Sequence, residues 1–238
     1  MSTRVDTKFD VYSDTPVGKD PDSFSPTLRR YHQTLWSKPL PSGAILELSV
    51  DTSRTYLHHS SVLGELFLSS DSVGHTYKFV KAMSPIVSRI PASEIDNFYS
   101  ICSTVGGYII FPSNRIDGKP TINGARGLHY KIKDRFDLTL ECIRRHYGDQ
   151  KSPLGDALKR YSDFFDLFES FSGYVEFFLL QDLVLNGGEA IDFFVPFDGF
   201  ERDPLPSTID EYRTYKDRLT AFVTARNHRI EIFGSSEE

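Results

Sequence analysis

The residues best suited to chemistry lie between Thr104 and Tyr147, where an apolar strand signal runs into a turn carrying Asn123, Gly124, Arg126 and Gly127 and then into an amphipathic stretch dense in Arg, Asp and Glu. Backbone N–H groups at Gly124 and Gly127 could converge beside Arg126 as an anion nest. Arg135 adds a second guanidinium, whose planar fork suits bidentate capture of a phosphate. Asp137 and Glu141 follow four residues apart, on one face of a helix, where a carboxylate could orient a nucleophile or a water. This pattern points to a small enzyme acting on a phosphate-bearing substrate, a nucleotide or nucleic-acid end. Asp137 and Glu141 would be its catalytic groups, and Arg126, Arg135, Asn123 and the more distant Arg29 its substrate-binding groups, beside polar residues such as Asp71. The same helix also reads as structure, because Asp134, Asp137, Glu141 and Arg145 make a solvated, ion-paired stripe with Glu141 placed to meet Arg145.

Charge sets limits on the ligand. Residues 115–160 carry a net charge of +5 and residues 161–211 a net of -11. Either the two segments attract across the fold or the basic one faces an anionic ligand. With a whole-chain net charge of -6, nonspecific binding to nucleic acid or an acidic membrane is not expected.

Other motifs fail on inspection. Gly18-Lys19 lacks the upstream Gly and the following Ser or Thr of a phosphate loop. Asp20 and Asp22 have the first offsets of a calcium loop without its Gly or terminal Glu, and read as turn carboxylates. His58-His59 would point to opposite faces of a strand, there is no HExxH, and no metal site is expected. No GxSxG elbow occurs. Arg226 to Arg229 has the Arg-polar start of a helical ribonuclease toxin without the His that should follow; Arg54 and His59 have that spacing but no helical stripe. Basic residues complementing a helix C-terminus explain the first pair of arginines. Ser69-Ser70-Asp71-Ser72 with His75 holds the residue types of a nucleophile relay, and equally of a polar turn between strands. Cys102 and Cys142 sit among apolar residues without ligand-spaced companions and read as reduced core thiols. No cofactor is indicated.

The elements that must position these groups are partly written in the spacing. Nineteen Phe and twelve Tyr in 238 residues can build a substantial core. An arm over residues 1–26 ends at Ser25-Pro26, an N-cap and first helical residue, with Leu28, Tyr31 and Leu35 on one stripe up to about Trp36. Ala44 to Val50, Leu63 to Leu68 and Val73 to Val80 read as strands of a hairpin or meander. A capping box at Ser93 and Asp96 opens a helix with Ile95, Phe98, Tyr99 and Cys102 on its face, followed by a buried strand YIIF. Ile132, Phe136, Leu140, Ile143 and Tyr147 repeat as one helix face turned into a core. Further helices are expected after Pro153, over Val175 to Val184 and from Thr208, whose stripe is Tyr212, Tyr215, Leu219, Phe222 and Arg226, with a short strand at Ile191 to Val195. The result is α+β: one domain over 1–230 with a small N-terminal sheet or meander and about six helices, then a flexible acidic tail over 231–238. Without a signal-peptide stretch or a membrane-length apolar run, the expected location is cytoplasmic.

The phrases TINGARG and DRFDLTLECIRR, with SDTPVGKDPDSFSPTLRRYH and LWSKPLPSG, carry a resemblance over about Phe9 to Ile230. The chain resembles a family of bacterial hypothetical proteins described as a domain of unknown function. That resemblance implies one domain of shared architecture and no activity. Beside the enzyme stand a non-catalytic module binding an anionic ligand or protein partner, in phage defence or stress control, and a toxin-like regulator whose acidic segment meets a partner. Exposed Trp36, Tyr31 and Arg29 on one surface would favour the module.

Overall fold

The computed structural model describes residues 5–50, 56–61 and 64–235. The architecture is α+β, with ten α-helices and two small antiparallel sheets among the described residues. The N-terminal arm wraps the body: Val11 is buried and its N–H donates to the Ser103 carbonyl at 3.0 Å. It ends in a single helical turn, α1 (Pro21–Phe24), and runs directly into α2 (Pro26–Trp36). Ser25 caps α2 as its type and place predict, accepting from the Leu28 N–H at 3.1 Å. Asp14 reinforces the cap, accepting from the Ser25 hydroxyl at 2.6 Å and the Thr27 N–H at 2.9 Å.

The larger sheet is β1 (Leu57–Ser61), β2 (Gly64–Ser72) and β3 (Tyr108–Pro112), with β2 in the centre. The register aligns Leu57 with Leu68 and Leu68 with Pro112, and at the far end Asp71 with Ile109. Tyr108 to Pro112, the buried YIIF segment, is therefore the third strand. Two expected strands are corrected. Ala44 to Val50 makes isolated bridges at Ile45 and Ser49 and no continuous ladder, although Leu46 and Leu48 point inward. Val73 to Val80 is a loop because helix side chains claim its carbonyls: Tyr215 donates to His75 O at 2.6 Å and Tyr212 to Thr76 O at 2.8 Å. Leu63, expected to start β2, and Arg54 lie outside the described residues.

The remaining elements are α3 (Ser84–Val87), α4 (Ala92–Cys102), α5 (Ile122–Leu128), α6 (Phe136–Tyr147), α7 (Gly155–Lys159), α8 (Ser162–Asp166), α9 (Phe171–Phe177), a two-stranded ribbon of β4 (Val184–Leu185) and β5 (Ala190–Ile191), and α10 (Ile209–Ser235). Helix α4 starts one residue before the expected Ser93 cap, and Asp96 pairs instead with Lys78 at 2.7 Å. The helix expected after Pro153 is broken into α7 and α8, and the apolar stripe Leu154, Leu158, Tyr161, Phe165 and Phe168 that runs through both is buried. The helix expected over Val175 to Val184 ends at Phe177, and Leu179 turns left-handed (φ 55°). Helix α10 continues past Arg226 to Arg229 as far as Ser235, so these residues and the start of the supposed tail are helical; residues 236–238 are not described.

The core lies between β3, α6 and α10. Phe136, Leu140 and Ile143 from α6 meet Tyr215, Leu219 and Phe222 from α10 in one hydrophobic cluster. The Phe136 and Phe222 rings stack with centroids 6.4 Å apart. No helix of the described residues is long and apolar enough to cross a membrane. Because Phe136 is 1% exposed, Phe136→Ala should lower stability by ~3 to 5 kcal/mol in a denaturant titration; a near-neutral shift would refute its place in the core.

Candidate functional site

Among the described residues three arginines, Arg126, Arg135 and Arg226, are fully or almost fully buried. Thr121 caps α5 through the Gly124 N–H at 3.3 Å, so the segment expected as a Gly-rich turn is a helix. Gly124 and Gly127 therefore form no anion nest, since helical amides run along one axis and do not converge on a point. Arg126 turns inward at 0% exposure. Its guanidinium pairs with Asp71 and donates to Thr139 Oγ1 at 2.9 Å and Ser72 O at 3.1 Å, between the rings of Phe111 and Phe136.

The other expected site residues are also structural in their contacts. Arg135 and Asp137 form a buried pair at the start of α6; Arg135 also donates to Pro204 O at 2.9 Å and Asp137 accepts from the Phe194 N–H at 2.9 Å. Glu141 is held by Arg144 at 2.8 Å and by Arg145 at 2.7 Å, the pairing that the helical spacing predicts. Arg29 staples the chain around residue 50 by donating to Val50 O at 2.7 Å and lies over the Tyr56 ring. Asn123 donates to Ser69 Oγ at 3.2 Å and Ser70 O at 3.0 Å, pinning β2 from behind. Trp36 and Tyr31 are buried, so they present no surface with Arg29. Asp137 and Glu141 thus do not meet Arg126 in a common cavity.

A different set of groups converges. At the end of β2, where strand pairing stops at Ser72, a cleft of about 250 Å³ opens between the arm, the loop after β2 and α4. Asp20 reaches it from the N-cap of α1, Asp22 from α1 itself, Asp71 from β2 and Asp134 from the turn before α6. His75 enters from the loop and packs on Tyr77 at 4.5 Å. Tyr12, Tyr99 and Phe79 form an aromatic wall, with Tyr12 and Tyr99 centroids 5.2 Å apart and Phe79 edge-on to Tyr99. Phe79 is 81% exposed, which is unusual for a ring of that size. Along this wall lies the Lys78 ammonium, 5.2 Å from the Tyr99 centroid and 5.6 Å from that of Phe79.

The carboxyl groups of the cleft are not equivalent. Burial pushes the Asp22 pKa well above the usual carboxylate range, and the neighbouring charges of Asp71 and Asp20 push it the same way; a Ser70 hydrogen bond and Arg126 oppose them. Asp71 is raised by burial and held down by its Arg126 partner. Asp22 therefore takes the first proton of the pair. His75 is lowered by burial, which keeps its imidazole neutral.

Behind Asp22 runs a line of hydrogen bonds. The Trp36 indole N–H donates to His32 Nδ1 at 3.0 Å, His32 Nε2 lies 3.0 Å from Ser70 Oγ, and the Ser70 hydroxyl donates to Asp22 Oδ1 at 3.1 Å. Burial lowers the His32 pKa to about 3, so the ring is neutral and, with Nδ1 accepting, its single proton sits on Nε2. His32 cannot then take a proton from Ser70. The nucleophile relay suggested by Ser69 to Ser72 with His75 is replaced by a line that points donors at a carboxylate.

The remaining motifs resolve as structure. His58 and His59 lie on opposite faces of β1, one stacked on Phe67 and the other donating its Nδ1–H to Glu47 O at 2.8 Å. No group of three or more His, Cys, Asp or Glu among the described residues is arranged to hold a metal ion. Both cysteines are buried free thiols, Cys142 pushed up to about 12 by burial. Arg226 is 0% exposed inside α10 and donates to Gly106 O at 2.9 Å and Tyr108 O at 2.6 Å; burial lowers its pKa to about 9. Sequence reasoning missed the cleft, although Asp20, Asp22 and the Ser70 to His75 segment were each visible as polar clusters.

Over residues 5–230 the chain matches the model of the Family of unknown function (DUF6994), and it belongs to that family. No curated protein and no solved structure matches it.

Two measurements follow. Arg126→Met leaves Asp71 without its partner and should destabilise by ~3 to 5 kcal/mol in chemical denaturation, as breaking a buried pair does. Asp22→Asn should act in the opposite direction. The folded state holds the Asp22 proton more tightly than the unfolded chain, so wild-type stability falls as pH rises above about 4. The amide escapes that loss: its melting temperature should exceed the wild type's at pH 7, with the difference vanishing as pH falls through about 4. A variant less stable than wild type at pH 7 would contradict the raised proton affinity.

Proposed function

We propose that the protein is an acid–base enzyme whose working group is Asp22, acting on a small substrate that carries an amine or guanidine. One observation carries this reading: two carboxyl groups share a cleft, and their surroundings divide their roles. Asp71 is tied to Arg126, whereas burial and the neighbouring carboxylates raise the Asp22 pKa well above the usual carboxylate range, which suits Asp22 to hold and give up a proton. Such a division is the usual signature of general acid–base chemistry.

The substrate class follows from the walls. Asp20 and Asp134 add negative charge to a cleft in which Asp71 is offset by Arg126, and an aromatic face beside them attracts an ammonium or guanidinium through its π-system. Lys78 already uses that face, its ammonium resting against Tyr99 and Phe79 while it pairs with Asp96. The phosphate-bearing substrate expected from the sequence has less support, because the guanidiniums of Arg126 and Arg135 are buried and spent on internal partners. A non-catalytic module for the same organic cation is the second reading, favoured by Ser70 being a donor to Asp22 and not an activated nucleophile.

A thermal-shift screen separates these. Agmatine, spermidine and tetramethylammonium should stabilise the wild type, and Asp20→Asn should weaken their binding about tenfold, equivalent to ~1.4 kcal/mol. Stabilisation by inorganic phosphate or nucleotides with none by amines would overturn the cation reading and restore the phosphate one. Amine binding that neither releases nor takes up a proton would favour the module.

A further inference from the structure

The proton-exchanging role of Asp22 raises the question of which of its oxygens does the work, and the answer lies in buried residues that touch no part of the cleft. The groups facing Asp22 are Ser70 and Asp71 from β2, Asp20 at the N-cap of α1, Tyr12 from the arm, Arg126 from α5, Tyr108 from β3 and the buried Tyr56. Ser70 bonds its carboxylate directly, at Oδ1. We infer that Trp36 and His32 are positioning residues of the cleft: the indole N–H fixes His32 as a donor, His32 fixes Ser70 as a donor, and Ser70 keeps Oδ1 of Asp22 as an acceptor, leaving Oδ2 to exchange the proton.

The direction of the line is forced at its buried end. Trp36 has one N–H and nothing to accept with, so His32 Nδ1 must accept at 3.0 Å. Moving the His32 proton to Nδ1 would set two donors against each other, and Trp36 and His32, at 1% and 0% exposure, have no water to relieve them. Adding a second proton to His32 is opposed by burial and by the Arg226 charge. Spacing makes the device compact: His32 and Trp36 are one turn apart on α2, so a single helix face delivers both. Ser70 is reached because side chains alternate along β2, which puts its hydroxyl toward α1 and α2 and Asp71 toward Arg126 on the opposite face.

Without the indole donor the line can reverse. His32 could then carry its proton on Nδ1 and accept from Ser70, which would withdraw its hydroxyl from Asp22. Losing a donor to the ionised form raises a carboxyl's proton affinity further.

The inference rests on the Proposed function for its purpose, but its test needs no ligand. Nitrogen-15 NMR of histidine-labelled wild type should show His32 with Nε2 protonated and Nδ1 bare, unchanged between pH 5 and 8, roughly the range in which a free imidazole would titrate. Carbon-13 titration of aspartate carboxyls, with Asp22 assigned through Asp22→Asn, should show its midpoint moving up by about one pH unit in both Trp36→Phe and Ser70→Ala. Ser70→Thr, which keeps the hydroxyl, should restore the wild-type midpoint. A His32 protonated on Nδ1, or an Asp22 midpoint unmoved in Ser70→Ala, overturns the inference. Should Trp36→Phe fail to fold, the wild-type tautomer and the Ser70 pair decide the matter alone. Amine binding with a failed NMR test removes only the line; a sound NMR test with no amine bound removes only the cation reading.

Discussion

The buried charge of Arg126 constrains the rest of the structure. A guanidinium at 0% exposure needs a counter-charge and acceptors for its N–H groups, because an unpaired ion in a protein interior costs several kcal/mol. Those partners come from three places: Asp71 and the Ser72 carbonyl on β2, Thr139 on α6 and the aromatic faces of Phe111 and Phe136. Satisfying one residue of α5 thereby locks the sheet to the core helix. It also fixes Asp71 at the end of β2, and that placement creates the cleft.

From that point the site is a consequence of strand geometry. Successive residues of β2 face opposite ways, so Ser70 meets α1 and α2 while Asp71 meets α5. The arm brings Asp22 to the same place across a sequence separation of 48 residues from Ser70. The loop that carries His75 is held by hydroxyls of Tyr212 and Tyr215, residues from the other end of the chain. A carboxyl with raised proton affinity is a stability cost that the surrounding network tolerates, as functional sites commonly require.

The charge segregation is largely resolved inside the fold. Lys133 meets Asp203 at 3.1 Å and Lys131 meets Glu201 at 3.8 Å, while Arg135 reaches the Pro204 carbonyl and Arg145 lies over the Phe200 ring. Of the two meanings that the sequence allowed for its basic segment, attraction across the fold accounts for Lys131 and Lys133, while Arg135 and Arg145 pair with carboxylates of their own segment. The exposed pairs contribute little individually, and the buried Arg135–Asp137 pair fixes how the 193–204 segment seats on α6.

What the sequence determined by itself was local. The Ser25-Pro26 start of α2, the buried strand at Tyr108 to Pro112 and the apolar stripes of α6 and α10 follow from capping chemistry and from periods of 2 and 3.6, which neighbouring residues settle among themselves. The Glu141 pairing with Arg145 was legible for the same reason, being a contact within one turn. The weaker strands were misread because a ladder needs a partner edge: Ala44 to Val50 has the alternation and lacks consecutive pairing, and Val73 to Val80 gives its carbonyls to tyrosines. The direction in which a polar residue faces was decided only by tertiary structure. Periodicity shows that Arg126, Arg135 and Asp137 leave the apolar stripe, but whether such a residue meets water, ligand or a buried partner depends on groups far along the chain. Asp22, Ser70, His32 and Trp36 looked like a turn carboxylate, a strand-end hydroxyl and two helix residues; a shared cleft and a line of donors exist only once the arm, β2 and α2 are packed together, since hydrogen bonds are set by distance in space and sequence spacing fixes that distance within an element alone.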